Sequence, residues 1–216
     1  MQTRNNYTEA LGQLRVHVME MGGGIVQAIG RTQRALEQLD ADLARSVMEG
    51  DDEFDQMERD IEQECLTLVV TQSPVAGDWR RIASIMRMIA DLERIADHCA
   101  DISEYVIKLS GKDRVDHIPY FSEMFALMQK MVQDTVQAYV DLDVEKARLV
   151  AAQDDAQDDY FEEVCEELCQ MMAANPGAIS QYVDYLMIAK YLERMSDHAT
   201  NLAEWIEYIV KGELRI

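Results

Sequence analysis

Proline is scarce in this chain, with 3 residues in 216, glycine is limited to 10, and aromatic residues make up 7%. So few punctuating residues leave long stretches with nothing to interrupt a helix. Cations are also in short supply: 20 Lys and Arg stand against 41 Asp and Glu, a formal net charge of −21. A surface of that sign repels a nucleic-acid backbone, which attracts clustered Lys and Arg, so nucleic acid is excluded as a partner. No segment is long and apolar enough to span a bilayer. The longest uncharged run, 168–183, contains Gln170, Asn175, Pro176, Gly177, Ser180 and Gln181, and so predicts a junction between helices. The first twenty residues have no apolar core of the secretory-signal kind, which together with unpaired cysteine usage predicts a cytoplasmic protein. The four cysteines (Cys65, Cys99, Cys165, Cys169) lack zinc-site spacing and are expected to be reduced thiols filling the core. There is no Gly-rich phosphate loop, no nucleophile elbow and no triad-like cluster, so no catalytic residue is assigned and the chain is not expected to be an enzyme.

What is present favours an all-α protein. Hydrophobic residues make up 48% of the chain, too many for an acidic disordered segment, and Leu, Ala, Met, Gln, Glu and Arg lose little rotamer freedom in a helix. The punctuation predicts six helical stretches, at about 8–48, 51–74, 77–109, 120–150, 154–174 and 178–210. A charged, Pro-containing link, 112–119, divides them three and three.

The two halves repeat one another. Shifted by 100 positions, Leu92, Glu93, Arg94, Asp97, His98 and Glu104 meet the identical residues Leu192, Glu193, Arg194, Asp197, His198 and Glu204. Shifted by 103, Leu39, Asp40, Ala44, Arg45, Val47, Asp51, Asp52 and Asp55 meet Leu142, Asp143, Ala147, Arg148, Val150, Asp154, Asp155 and Asp158. Two separate blocks recurring in the same order imply a duplicated unit. The predicted architecture is two tandem, pseudo-repeated antiparallel three-helix bundles, residues 1–111 and 120–216, joined by the 112–119 linker.

Carboxylate is what the repeat retains. On the third stretch, Glu93 shares a helix face with Ile82, Met86, Ile89 and Ala100, and Asp97 and Asp101 continue along its edge. The sixth stretch repeats this as Glu193, Asp197 and Asn201. The second and fifth contribute the four-spaced pairs Asp51/Asp55 and Asp154/Asp158. Like charges at that spacing destabilise a helix by about 0.2–0.5 kcal/mol per pair, and withdrawing them from water costs more. Two outcomes follow. Either the protein supplies the cations, with Arg45 and Arg148 recurring just ahead of the acidic pairs, or oxygen-ligated metal ions such as magnesium, calcium, manganese or iron bridge the pairs. For Asp51 and Asp154 a solvated helix N-terminus is the competing explanation. His98 and His198 lie about 100° round the helix from the neighbouring acid, and the Glu-x-x-His spacing of diiron bundles is missing, so both are read as flanking groups. Met21-Gly22-Gly23-Gly24 inside the first stretch predicts a close helix approach or a kink. The fourteen methionines are read as core fillers, with some able to form an adaptable partner surface.

The duplicated layout, Met21-Gly22-Gly23-Gly24, Gly50-Asp51-Asp52-Glu53-Phe54-Asp55, Leu92-Glu93-Arg94-Ile95-Ala96-Asp97 and Leu192-Glu193-Arg194-Met195-Ser196-Asp197 together resemble the PhoU family of bacterial phosphate-signalling regulators. The resemblance implies multinuclear metal clusters, of divalent or trivalent ions, on the carboxylate motifs: Asp51, Asp55, Glu93, Asp97 and Asp101 for one, and Asp154, Asp158, Glu193 and Asp197 for the other. It also implies negative regulation of the phosphate regulon, as an adaptor between the Pst phosphate ABC transporter, with its PstB-type ATPase, and a PhoR-type sensor histidine kinase. Membrane association would then come only through partners, and self-association as a homodimer is a further expectation. Four positions depart from the family pattern. Ala96 and Ser196 stand where glycine is usual, Asn201 replaces the acid seen at Asp101, and Gln157 stands where an apolar residue should precede Asp158. The alternatives from the residues alone are a metal-dependent hydrolase or metal-storage bundle, and a helical scaffold whose acids are merely solvated.

Overall fold

The computed structural model describes residues 2–113, 115 and 117–213, with side chains from Tyr7 onward. Residues 1, 114, 116 and 214–216, which the division into 1–111, 112–119 and 120–216 includes, lie outside that set. The described residues form α1 (Gln2–Gln38), α2 (Ala41–Met48), α3 (Asp51–Gln72), α4 (Ala76–Ser110), α5 (Phe121–Asp141), α6 (Val144–Ala151), α7 (Asp154–Ala174) and α8 (Ile179–Lys211), with a short 3-10 turn at Pro176–Ala178 before α8. The protein is all-α, two pseudo-repeated antiparallel three-helix bundles.

Eight helices replace the six expected because the first and fourth stretches each break near their ends. The break falls at equivalent residues. Leu39 and Leu142 both take the left-handed conformation at φ 52°, and the following Asp40 and Asp143 become N-caps. Asp40 accepts from the amides of Asp42 and Leu43, each at 3.0 Å, and Asp143 accepts from that of Lys146, also at 3.0 Å. The Leu-Asp pair was one of the repeated elements, so the signal for the break was present in the sequence.

Antiparallel contacts tie the halves into one core. Along the α4–α8 seam, Asp91 meets His198 and Asn201, while Tyr105 meets Tyr191. Along α1–α5, Arg15 reaches the Val140 carbonyl at 3.3 Å and Gln33 reaches Ser122 at 3.4 Å. The buried apolar residues form a single cluster running through both halves. Helix α4, packed against α1, α2, α3 and α8, therefore buries more than the stripe read from its sequence. Ile82 and Ile89 of that stripe are fully buried, as are Ile85, Met88, Leu92, Ile95, Cys99, Ile102 and Val106 beside it, while Met86 and Ala100 are half-buried at the edge.

The glycine run does not kink α1, which continues unbroken to Gln38. A Cβ on Gly22 would collide with the Val136 side chain of α5, and one on Gly24 would come within 2.9 Å of the Phe54 ring. Close approach is thus what the glycines allow. The cysteine expectation needs correction: Cys65 and Cys99 are buried, but Cys165 is half-buried and Cys169 exposed. On α7 the core-facing row is Val164 and Leu168, which turns the 165/169 face outward.

Candidate metal centre

Helix α3 opens on Asp51, Asp52 and Glu53, where acids complement the positive helix N-terminus, and Asp55 follows one turn in. Antiparallel packing sets this end of α3 against the middle of α4. Oxygens of Asp55, Glu93 and Asp97 there lie within 4.8 Å of one another. The Glu93 side chain is only 13% exposed and that of Asp97 27%. Burial above all, then the charges of Asp97, Glu58 and Asp55, pushes the Glu93 carboxyl up to about 7 against the pull of Arg94. Burial followed by Asp97, Asp55, Asp52 and Asp101 raises Asp51 to about 6. Glu58, not singled out from the sequence, is raised by burial, Glu62 and Asp55, and adds to the same field. It lies seven residues after Asp51, on the same helix face, which was the signal available.

The cations near this trio are Arg94, 2.6 Å from Asp97 and 3.4 Å from Glu93, and Arg59, 3.4 Å from Asp55. Both arginines are more than half exposed, so solvent screens much of their effect. The recurrent arginines do not serve here. Arg45 pairs with Asp42, and Arg148 pairs with Glu207 at 2.8 Å and Glu145 at 3.0 Å. Asp51 and Asp101 stand outside the converging trio. Asp101 faces His98 Nδ1 at 3.1 Å, and its charge contributes to the field that raises Asp51.

The second half gathers the corresponding residues less tightly. Asp158 is raised by burial and then by Asp154, Glu193 and Asp197; Asp197 is raised by burial, Glu193 and Asp154. These four acids therefore share one field. Among the described residues, however, only the first half brings three ligand atoms within 4.8 Å. Lys190 stands 2.6 Å from Glu193 Oε2, an internal counterion that position 90, an alanine, does not offer the first half. Asn201 does not face the acids; it donates to Asp91 of α4 at 3.3 Å. Asp154 Oδ1 is buried with no donor.

Between the two sites the histidines pack in the α4–α8 seam, their ring centroids 5.7 Å apart. His198 Nδ1 is 2.9 Å from Asp91, which sequence reasoning passed over because its counterpart at 191 is a tyrosine. Both rings flank the carboxylates, each engaged with an acid of the seam.

A family profile described as the PhoU domain matches residues 18–106 and again 121–206. The chain belongs to the PhoU family. Each PhoU match encloses one complete set of acids, the first from Asp51 to Asp101 and the second from Asp154 to Asp197. The chain is 31% identical over 212 residues to a phosphate-specific transport system accessory protein PhoU homolog of Clostridium acetobutylicum, covering 98% of this chain and 97% of that one. A Pseudomonas aeruginosa protein of the same description is 34% identical over 213 residues, 95% of this chain and 86% of the other. Among solved structures, PhoU from Pseudomonas aeruginosa superposes with a TM-score of 0.92 at 33% identity, covering 96% of this chain and all, 100%, of that one. The phosphate transport system regulatory protein PhoU from Streptococcus pneumoniae gives 0.92 at 27% identity, with 97% and 99% covered. These relatives carry the names of accessory and regulatory proteins, not of enzymes.

Proposed function

We propose that this chain is a regulatory adaptor of phosphate transport that represses phosphate-starvation signalling. The observation that carries it is the end-to-end likeness to PhoU proteins, in sequence and in fold, including relatives named as accessory to the phosphate-specific transport system. Like them it acts as an accessory protein of that system rather than as an enzyme. When phosphate is ample, it holds the Pst transporter quiet and biases a PhoR-type kinase toward its inactive or phosphatase state. It works in the cytoplasm and reaches the membrane only through these partners. In keeping with this, no helix among the described residues is long and apolar enough to cross a bilayer. The acidity of the chain also disfavours direct contact with anionic lipid.

The carboxylates of α3 and α4 hold metal ions in this reading, with Asp55, Glu93 and Asp97 as the central ligands and Asp51 and Asp101 beside them. Support comes from the chemistry of the donor set: three converging carboxylates, two of them well shielded, with only exposed arginines to offset them. Hard or borderline cations suit all-oxygen ligation. A bound ion would supply the charge that relieves this repulsion and would tie α3 to α4. Asp154, Asp158, Glu193 and Asp197 form the second site.

Deleting the gene tests the regulatory role. Phosphate-starvation genes are expected to switch on in phosphate-rich medium; unchanged expression overturns the assignment. Elemental analysis of protein purified without chelator, compared with a Glu93→Gln/Asp97→Asn variant, tests the metal role separately.

A further inference from the structure

The residue at position 157 breaks the internal symmetry of the chain. Its counterpart in the first half is Phe54, whose ring packs against Gly24. Gln157 occupies the same kind of position on α7 and is completely buried, at 0% exposure. Burying an amide is unfavourable unless both its donor and its acceptor find partners. Nε2 donates to the Leu192 carbonyl at 3.2 Å, which places the head group against α8 one residue before Glu193. That bond also sets the orientation of the amide, since a flipped group would face oxygen to oxygen. Oε1 is left with no partner.

Gln157 stands on α7 between Asp154 and Asp158, so its head group lies in the α7–α8 seam that those acids and Glu193 border. Asp154 Oδ1, on the same helix, is likewise buried without a donor. Lys190 lies 2.6 Å from Glu193 Oε2 and offsets its charge, yet that oxygen too is buried without a hydrogen bond. Three buried oxygens without a hydrogen bond, one of them on a wholly enclosed neutral side chain, mark a place for a cation. A solvated acidic face does not need a buried amide.

We infer that Gln157 Oε1 is a ligand of the second-half metal site, which takes a hard divalent cation through mixed amide and carboxylate oxygens. The inference rests on the metal reading above and deepens it. It makes the two sites chemically unequal. In the first half Asp55, Glu93 and Asp97 converge with no amide among them. In the second, a neutral oxygen is added, Asn201 replaces the acid, and Lys190 already offsets one carboxylate. The second site thus carries less negative charge and suits a more weakly held divalent ion.

Manganese(II) alone, followed by electron paramagnetic resonance, is the probe, titrated into chelator-stripped full-length protein. The parent for comparison is Glu93→Gln/Asp97→Asn, which disables the first site. This parent is expected to bind Mn2+, and adding Gln157→Met, which keeps the volume and removes the oxygen, is expected to weaken that binding at least tenfold. Melting of the metal-free protein should be unchanged or raised by the same substitution. Gln157→Glu keeps an oxygen in place and should retain the binding, with a larger rise in melting temperature on adding Mn2+. It decides the matter if the Met variant fails to fold, because loss of binding in folded Gln157→Glu overturns the inference. Equal affinity in the parent and in Gln157→Met also overturns it and assigns the amide to water. Binding by wild type but not by the parent refutes it while leaving the first site intact. No binding by wild type refutes the metal reading itself, and this inference with it.

Discussion

Glu93 illustrates what a carboxylate does at the edge of a core. Its helix position is fixed by the apolar row beside it, and its side chain is largely shielded next to Asp97 and Asp55. The charged form is therefore disfavoured in the folded protein, as it is at Asp51. A folded-state value above the unfolded one means that the native state holds a proton that the unfolded chain releases. Between about pH 4.5 and 7, these two groups then make stability fall as pH rises, the reverse of a salt-bridged carboxylate. Glu207 is such an opposite case, drawn down to about 2 by Arg148 and Lys211, and its contribution is lost only as acid reaches its own range. Metal-free protein is accordingly expected to melt at a higher temperature at pH 5 than at pH 7.5. Thermal scans of Asp51→Asn/Glu93→Gln should show a flatter dependence over that interval.

At the scale of the element, the Leu-Asp breaks decide how many helices there are. A left-handed leucine is strained, so the turn depends on the aspartate cap and on packing of the leucine against the core. Asp40→Ala and Asp143→Ala should each cost about 0.5–2 kcal/mol, measured by chemical denaturation. The glycine run in α1 gives a sharper contrast. Gly23 has open space around its Cβ position, so Gly23→Ala should stabilise by about 0.4–1 kcal/mol. Gly22→Ala drives a methyl into Val136 and should destabilise by about 1–3 kcal/mol, through separation of α1 from α5. The same denaturation curves give both values. Much at this scale was legible. Helix type, the repeat and the acidic face of α3 follow from spacing alone. The break at Leu39 was not recognised, because one Asp-capped turn looks like more helix when flanked by good helix formers. Cys165 and Cys169 were misplaced because a four-residue spacing says that two side chains share a face, but not which way that face turns.

At the scale of the whole molecule, duplication supplies two similar units and the seam between them makes one protein. The buried row of α4 faces α8 as well as its own bundle, and α1 packs along α5. Residues 1–111 produced alone would leave both faces uncovered. That fragment is expected to self-associate or aggregate rather than run as a folded monomer, which size-exclusion chromatography with light scattering would detect. The seam also gives Asn201 its partner: it crosses to Asp91 in the other half, a contact between repeats.

The sequence by itself determined the helical class, the duplication and the residues available for oxygen ligation, because each of these is written in composition or in spacing along one chain. Only the tertiary structure decided that Asp55, Glu93 and Asp97 converge while their counterparts do not, that Lys190 pairs with Glu193 and Gln157 is buried against α8, and that Arg45 and Arg148 serve elsewhere. Those outcomes depend on which faces of different helices meet, and helix periodicity fixes a face only relative to its own axis.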